Sequence, residues 1–285
     1  MAISVTASAI SPLARARAAG SHYSSTGAYP FVAGVDGVGR LDDGRRAYFL
    51  LPRAPFGAMA ERTIVAGGQW TLVPDEVDDA TAAVIANPGM SSWAAFVHRA
   101  HLRAGETVLI NGATGAAGGL AVRIARHLGA ARVIATGRHQ EALEALGADD
   151  VISIGDDGDR MEQAFQVSFS AGVNVVLDYL WGTSARSILV AAAKTAPDGV
   201  PIRFVQIGSA AGAEIAMPAA VLRSSSIEMV GSGLGSVGLD QLLSSIAGVL
   251  GAAATTNLTL AYRPVPLSEV EATWNDDGER IVYRI

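Results

Sequence analysis

Several features are missing from this 285-residue chain, and each absence excludes a class of function. There is no cysteine, which excludes disulfides, thiol catalysis and cysteine-ligated metals. The formal net charge is -6 and no block of Lys and Arg occurs, so nucleic acid is not expected as a main partner. No histidine has acidic neighbours at metal-ligand spacing, which predicts no metal site. The histidines are His22, His98, His101, His127 and His139.

Long apolar runs are also missing, since no stretch of about 18 uninterrupted apolar residues occurs, and we expect no membrane span. The N-terminal "MAISVTASAISPLARARAAG" has the Arg, Ser and Ala content of an organellar transit peptide. Its "ISVTASAI" nevertheless alternates as a β-strand does and leads into Pro12. We therefore favour folded structure here and a cytoplasmic protein.

The second half of the chain has the pattern of a parallel sheet. Half of all residues are hydrophobic, enough for a large core. From about residue 105, short Val/Ile-rich runs such as "TVLING", "ARVIATG" and "VNVVLDYL" alternate with helical patterns. In the first of these helices an apolar stripe runs from Leu120 to Leu128. The pattern predicts a doubly wound α/β domain whose parallel sheet is covered on both faces.

The two ends of the chain have a different pattern. Before about residue 85, strand-like runs are separated by Gly, Pro and Asp turns without long helices, and the C-terminal "LTLAYRPVPLSEVEATW" returns to that style. We predict a β-rich domain formed by residues 1–86 and 252–285, with a nucleotide-binding domain of residues 87–251 inserted between them.

The most informative run is "VLINGATGAAGGLAV", residues 108–122. An apolar strand leads into a G-x-x-G-x-x-G loop that opens a helix, and this context is typical of a dinucleotide site. Glycines let the backbone approach a pyrophosphate, whose charge the helix N-terminus stabilises. The alternative is a glycine-rich turn that only packs on the sheet. The predicted contacts are Gly112, Ala113, Thr114, Gly115, Ala116, Ala117 and Gly118.

The end of the next strand indicates which nucleotide binds. A site for NAD would place an acid there, about twenty residues past the loop. The chain has Thr136, Gly137, Arg138 and His139 instead. Arg138 can pair with a 2′-phosphate and Gly137 leaves room for it, so we predict NADP(H). The alternative is a surface arginine at the start of the next helix.

This loop, taken with several other motifs, resembles the medium-chain dehydrogenase/reductases, in particular their zinc-free quinone oxidoreductase branch. The other motifs are "PFVAGVDGVGRL", "LRAGETVLINGATGAAG", "LGADDVI", "VQIGS" and "SIEMVGSGLG". The resemblance covers nearly the whole chain. It implies a GroES-like β-rich domain, a doubly wound Rossmann domain, NADP(H) and a cleft between the two domains.

The chain also departs from this family. Zinc-dependent members use cysteines, and they have Gly-His-Glu where this chain has "AGVDGVG", so a zinc alcohol dehydrogenase is not expected. The family normally has a β-hairpin before "ISVTASAISP", and we expect the β-rich domain to lack it. Ser11 and Ala16 stand where quinone reductases often carry an asparagine and a tyrosine, so that substrate contact does not transfer.

The resemblance and the positions of strand ends supply further site residues. Tyr23 and His22 are candidate proton donors, because this segment of the family faces the nicotinamide; a packed tyrosine is the alternative. Asp36 is expected to accept backbone donors in a turn; a general acid is the alternative. Other predicted cofactor contacts lie in "ANPGMSSW", where a helix start with a serine cap is the alternative, and at three strand ends. They are Asn87, Ser91, Ser92, Asp178, Tyr179, Gly208, Ser209, Gly231, Ser232 and Leu234.

These features predict a zinc-independent, NADPH-dependent oxidoreductase that reduces a quinone or the activated C=C bond of an enone by direct hydride transfer. Two alternatives remain open, an enoyl-thioester reductase and an NADPH-binding protein without turnover. The substrate is expected to be a small hydrophobic carbonyl compound or quinone. By the same resemblance, the strand at Ile227–Val230 is expected to pair with its copy in a homodimer.

Overall fold

The computed structural model describes residues 1–22, 25, 29–155, 158–256 and 258–285. It divides the chain into two compact units. Unit 1 comprises Met1–Met90 and Gly238–Ile285, and unit 2 comprises Ser91–Val237. The unit boundaries differ from the predicted domain boundaries mainly at residues 238–251, which the sequence pattern assigned to the nucleotide domain and which group with unit 1.

Unit 1 is built on a mixed sheet. Its strands are β1 (Ala2–Ala9), β2 (Asp36–Arg40), β3 (Arg46–Leu50), β4 (Arg62–Ile64), β5 (Trp70–Leu72), β12 (Tyr262–Pro266) and β13 (Arg280–Arg284). Their order is β12-β13-β1-β2-β3-β5, and β4 also pairs with β1. All pairs are antiparallel except β12 with β13. Strand β1, in the N-terminal segment, pairs with three other strands, which confirms that this segment is folded.

Unit 1 contains more helix than the sequence pattern predicts, because residues 238–251 group with it. Helix α1 (Pro12–Ala18) begins at the cap Ser11, whose hydroxyl accepts the amide of Ala14. Helix α8 (Leu239–Thr255) packs on β5. A 3-10 helix (Leu267–Glu269) and α9 (Val270–Thr273) connect β12 to β13.

Helix α2 (Asp79–Ala94) runs across the unit boundary and continues as a π-helix, Ala95–Arg99. It contains "ANPGMSS" in its interior. Ser91 and Ser92 therefore do not cap a helix start, and that alternative is wrong. In unit 1, Gly89 lies against Val249 of α8, since a Cβ added to it would be 2.8 Å from a methyl group of Val249.

Unit 2 is built on a parallel sheet. Its strands are β6 (Thr107–Asn111), β7 (Arg132–Gly137), β8 (Asp150–Ser153), β9 (Val175–Asp178), β10 (Ile202–Gln206) and β11 (Ile227–Gly231). Their order is β11-β10-β9-β6-β7-β8. The central strands are almost entirely buried, as expected for a sheet covered on both faces. These features confirm the predicted doubly wound α/β fold.

Helices connect the strands of unit 2. They are α3 (Ala116–His127), α4 (Gln140–Glu144), α5 (Gly158–Ser170), α6 (Gly182–Thr195) and α7 (Ala219–Arg223). The apolar stripe predicted in α3 faces the core, where Leu120, Ile124 and Ala125 are inaccessible to solvent. Within the described part of the chain, no helix is long and apolar enough to span a membrane.

Candidate functional site

The glycine loop of unit 2 follows β6 directly and is attached to the neighbouring strand β7. Gly112 has a φ of 92°, a conformation that favours glycine. The amides of Gly112 and Ala113 donate to the carbonyl of Thr136 at 3.2 and 2.7 Å, and the Gly112 amide also reaches the Thr136 hydroxyl at 3.2 Å. The loop therefore has a defined backbone conformation before any ligand binds.

Gly118 allows the first turn of α3 to lie directly on this loop. A Cβ at this position would be 2.3 Å from the Gly112 oxygen and 2.8 Å from the Ala113 Cα, distances that a side chain does not tolerate. Only glycine allows this close packing of helix and loop.

The loop and the helix start fit a pyrophosphate. Gly115 is the N-cap of α3, so the amides of Ala116, Ala117 and Gly118 have no carbonyl partner within the helix. Thr114 and Gly115 are exposed, and Ala116 and Ala117 are partly exposed. Helix amides that a ligand can approach in this way, together with the helix dipole, form an anion site.

Beneath the loop lies a buried polar network that connects three strand ends to a helix. The Asn111 side-chain amide donates to Asp178 at 2.8 Å and to the Ser184 hydroxyl at 2.9 Å. Its carbonyl oxygen accepts the Thr136 hydroxyl at 2.8 Å. The network fixes the relative positions of the ends of β6, β7 and β9.

The carboxylate of Asp178 is hydrogen-bonded within the protein. It is fully buried, and its carboxylate accepts the amides of Leu180 and Trp181 as well as Asn111. Burial raises the pKa of Asp178, while these hydrogen bonds oppose the rise. The predicted cofactor contact at Asp178 stays a prediction, but the carboxylate itself shapes the loop after β9 and is enclosed by it.

Tyr179 and Ser92 link this loop to the start of α3. The Ser92 hydroxyl donates to the carbonyl of Ala117 at 3.0 Å and lies 2.7 Å from the Tyr179 hydroxyl. Because the serine proton is used on Ala117, Tyr179 is the donor to Ser92. Ser91 also hydrogen-bonds Tyr179. Burial raises the pKa of Tyr179 well above its ordinary value, so the hydroxyl remains a neutral donor.

Gly137 and Arg138 lie at the end of β7, next to the glycine loop. A Cβ on Gly137 would be 2.8 Å from the Thr114 Cγ2. The space at Gly137 is therefore taken by the Thr114 side chain, and the expectation that it is reserved for a phosphate needs correction. Arg138 is exposed and directly follows the strand, where its guanidinium is accessible to an anion.

The ends of β10 and β11 lie at the same edge of the sheet. The amide of Gly208 donates to the Asp178 carbonyl at 3.1 Å, and that of Ser232 donates to Gln206 at 2.8 Å. A Cβ on Gly208 would be 2.6 Å from the backbone carbonyl oxygen of Tyr179. Ser209 and Gly231 are exposed, and Leu234 forms a bridge with Val237. The structure thus brings the predicted strand-end residues of unit 2 together.

In unit 1 a buried carboxyl forms a second polar cluster. Asp36 is 1 % exposed and accepts the Tyr48 hydroxyl and, at 3.1 Å, the Asn87 amide. Arg280 stabilises its charge. The expectation that the Asp36 side chain accepts backbone donors in a turn is wrong, because Asp36 begins β2 and its carboxylate binds side chains. Burial raises its pKa to about 6.

Of the two candidate proton donors, Tyr23 and His22, the structure describes only His22. Tyr23 lies outside the described residues. His22 is described, and partial burial together with the nearby charge of Arg17 lowers its pKa. The lowered pKa favours the neutral imidazole, which carries one N–H donor. In the part of the chain that the structure describes, no group of three or more His, Asp or Glu side chains could hold a metal ion.

Sequence reasoning missed two features of these sites. The Asn111–Thr136–Asp178 network had a signal, because each residue ends or nearly ends an apolar strand of a parallel sheet, and such ends meet at one edge. Tyr48 and Arg280 had no such signal. Tyr48 lies on β3, which pairs directly with β2, and Arg280 lies on β13 near the end of the chain, so only strand register and sheet order place them beside Asp36.

Comparison with known proteins agrees with this fold and loop. The family model for zinc-binding dehydrogenases matches residues 116–248. A probable NADPH-dependent quinone reductase of Emericella nidulans is 28% identical over an alignment 327 positions long, gaps included, which covers 98% of this chain and 90% of that protein.

Solved structures resemble the whole chain. The quinone oxidoreductase of Thermus thermophilus, also solved with NADPH, has a TM-score of 0.72 and 26% identity. The alignment covers 100% of this chain and 91% of that one. A putative NADPH:quinone reductase from Bacillus thuringiensis has a TM-score of 0.80 and 18% identity, with 100% and 89% covered.

The chain is therefore similar over nearly its whole length to NADPH-dependent quinone reductases, and its fold is that of the solved quinone oxidoreductases.

Proposed function

We propose that this protein is a zinc-independent, NADPH-dependent oxidoreductase that reduces a quinone or the activated C=C bond of an enone. The observation that carries the proposal is the close packing of α3 on the glycine loop at Gly118, where a Cβ would be 2.3 Å from the Gly112 oxygen. This packing presents the helix amides to a pyrophosphate. The names of its relatives, which mention NADPH and quinone reduction, support the choice of cofactor and acceptor.

The residues of unit 2 account for cofactor binding. The amides of Ala116, Ala117 and Gly118 would hold the pyrophosphate, and Arg138 would pair with the 2′-phosphate. Thr114 forms the exposed part of the loop between them. The strand ends at Gly208 and Gly231 would border the nicotinamide side.

The chemistry needs no metal in this account. NADPH supplies the hydride when it is bound, and the protein supplies position and electrostatics. The oxyanion that develops on the acceptor needs a hydrogen-bond donor. Neutral His22 is a candidate for this donor, and Tyr23 stays a prediction. The absence of cysteine supports zinc independence, because zinc-dependent relatives rely on cysteine ligands.

The proposal is tested by mixing the purified protein with NADPH and a panel of quinones, enones and enoyl-thioesters, and following absorbance of the reduced nicotinamide. We expect oxidation with a quinone or an enone, unchanged after dialysis against a chelator. Tight NADPH binding without oxidation by any acceptor would contradict it. Preference for the thioesters would favour an enoyl-thioester reductase instead.

A homodimer is part of the same proposal. Strand β11 is at the edge of its sheet, and Ile227, Met229 and Val230 are only partly buried. An uncovered strand edge of this kind invites pairing with a second copy. Sedimentation analysis should give twice the 29.2 kDa chain mass, and Met229→Pro, which removes an N–H on the open edge of β11, should shift the protein to monomer. A monomer for the unmodified chain would contradict this.

A further inference from the structure

The buried cluster around Asp36 in unit 1 holds a side chain that the sequence predicts to contact the cofactor or substrate. Asn87 of α2 is partly exposed, and its amide nitrogen donates to Asp36 Oδ1 at 3.1 Å. The other carboxylate oxygen, Oδ2, accepts the Tyr48 hydroxyl from β3. Asp36 thus lies inside the sheet and binds one end of a side chain that reaches the surface.

Side chains from four elements surround Asp36. Tyr48 faces it from β3, Asn87 from α2 and Arg280 from β13. Strand β1 contributes the Ser8 hydroxyl, which donates to the backbone oxygen of Asp36 at 2.9 Å and not to its carboxyl group. The Nε atom of Arg280 is buried and has no hydrogen-bond partner among the described residues. Arg280 therefore acts on Asp36 through its charge.

These neighbours place the titration of Asp36 close to physiological pH. Burial raises its pKa to about 6, while the hydrogen bonds from Tyr48 and Asn87 and the charge of Arg280 oppose the rise. Asp36 is therefore mostly charged at pH 7.5 and mostly protonated at pH 5. Both states occur in a range where the protein can be studied.

The charge of Asp36 determines which way the Asn87 amide can point. A carboxylate only accepts hydrogen bonds, so it binds the NH2 end of Asn87 and leaves the carbonyl oxygen on the opposite side. A protonated carboxyl can donate. It can then bind the carbonyl oxygen of Asn87 after the amide has turned over, which presents the NH2 group outward.

We propose that Asp36 is a positioning residue whose charge sets whether Asn87 offers an acceptor or a donor to a bound ligand. With Asp36 charged, Asn87 accepts a hydrogen bond from an N–H or O–H group of the ligand. With Asp36 protonated, Asn87 offers a donor in place of that acceptor. The inference rests on the proposed function only in taking the ligand to be the cofactor or the substrate.

The first test uses the protein without ligand. In a titration followed by NMR, the side-chain amide resonances of Asn87 should move with the carboxyl carbon of Asp36, with one midpoint near pH 6. Tyr48→Phe removes a donor that stabilises the carboxylate, so both midpoints should rise by about one pH unit. Asp36→Asn should abolish the transition at Asn87.

A matched control is Tyr283→Phe, because Tyr283 is also fully buried in unit 1 but its hydroxyl lies beside Thr273 at 3.1 Å. This variant should leave the Asn87 midpoint unchanged. An Asn87 amide that does not respond while Asp36 titrates would overturn the proposal, as would equal shifts in the two tyrosine variants.

The second test measures kcat/KM for NADPH against pH. A step with the same midpoint is expected, and Tyr48→Phe should move it upward by the amount seen in the NMR titration. A step that stays in place while the Asp36 midpoint moves would overturn the positioning role. Failure of the proposed function can be distinguished from failure of this inference. If the proposed function is wrong, the wild-type protein will oxidise no NADPH at any pH, and the ligand-free NMR titration will still show whether the Asn87 amide responds to Asp36.

Discussion

Replacing Gly118 with alanine will weaken NADPH binding by about 100-fold or more, equivalent to about 2.7 kcal/mol. The added Cβ would be 2.3 Å from the Gly112 oxygen and 2.8 Å from the Ala113 Cα. Both are backbone atoms, so the clash is relieved only when the first turn of α3 moves away from the loop. The amides proposed to hold the pyrophosphate would move with it. Quenching or enhancement of nicotinamide fluorescence on titration measures the loss.

The neighbouring glycine provides the control. A Cβ on Gly119 would be 3.5 Å from the Ala113 oxygen and from a methyl group of Leu146, which is ordinary van der Waals contact. Gly119→Ala adds the same methyl group to the same helix turn and should bind NADPH within about twofold of wild type. Equal losses in the two variants would show that helix perturbation, and not the close packing at Gly118, controls binding.

Replacing Arg138 with aspartate will lower the affinity for NADPH by about 10- to 100-fold and leave NADH almost unaffected. A charge-assisted hydrogen bond to a phosphate contributes about 1.5–3 kcal/mol, and only NADPH carries the 2′-phosphate. Arg138 is exposed at the end of β7, where no acid stands to bind ribose hydroxyls. Dissociation constants for both nucleotides, measured at one ionic strength, give the change in preference.

The control for this variant is Arg223→Asp, which makes the same charge change at an exposed position on α7 of the same unit. It should leave the preference for NADPH over NADH unchanged. If Arg138→Asp weakens both nucleotides equally, Arg138 does not recognise the 2′-phosphate and the basis for NADP(H) selection lies elsewhere.

Much of the fold could be predicted because the pattern is local. Runs such as "TVLIN" and "RVIATG" form buried parallel strands, and the glycine pattern between β6 and α3 depends on residues close in sequence. The assignment of α8 to unit 1 was not predictable in this way. Its apolar face indicates a helix, but nothing in the sequence of α8 specifies that it packs on β5.

The polar clusters show the same limit. Asp36 is followed by Gly37, a sequence typical of a turn. Its partners Tyr48, Asn87 and Arg280 come from three other elements. Gly137 was expected to leave room for a phosphate, but the Thr114 side chain occupies the space beside it. Such contacts depend on strand order and on packing between elements, which periodicity does not encode.

The central claim is direct hydride transfer from NADPH, and the most direct test is a single-turnover experiment with NADPH deuterated at the transferable C4 position. With a quinone or enone acceptor, decay of the nicotinamide absorbance should be slower by a primary isotope effect for one of the two C4 isotopomers and unaffected for the other. Decay at the same rate with both labels, or no decay with any acceptor, would contradict the account.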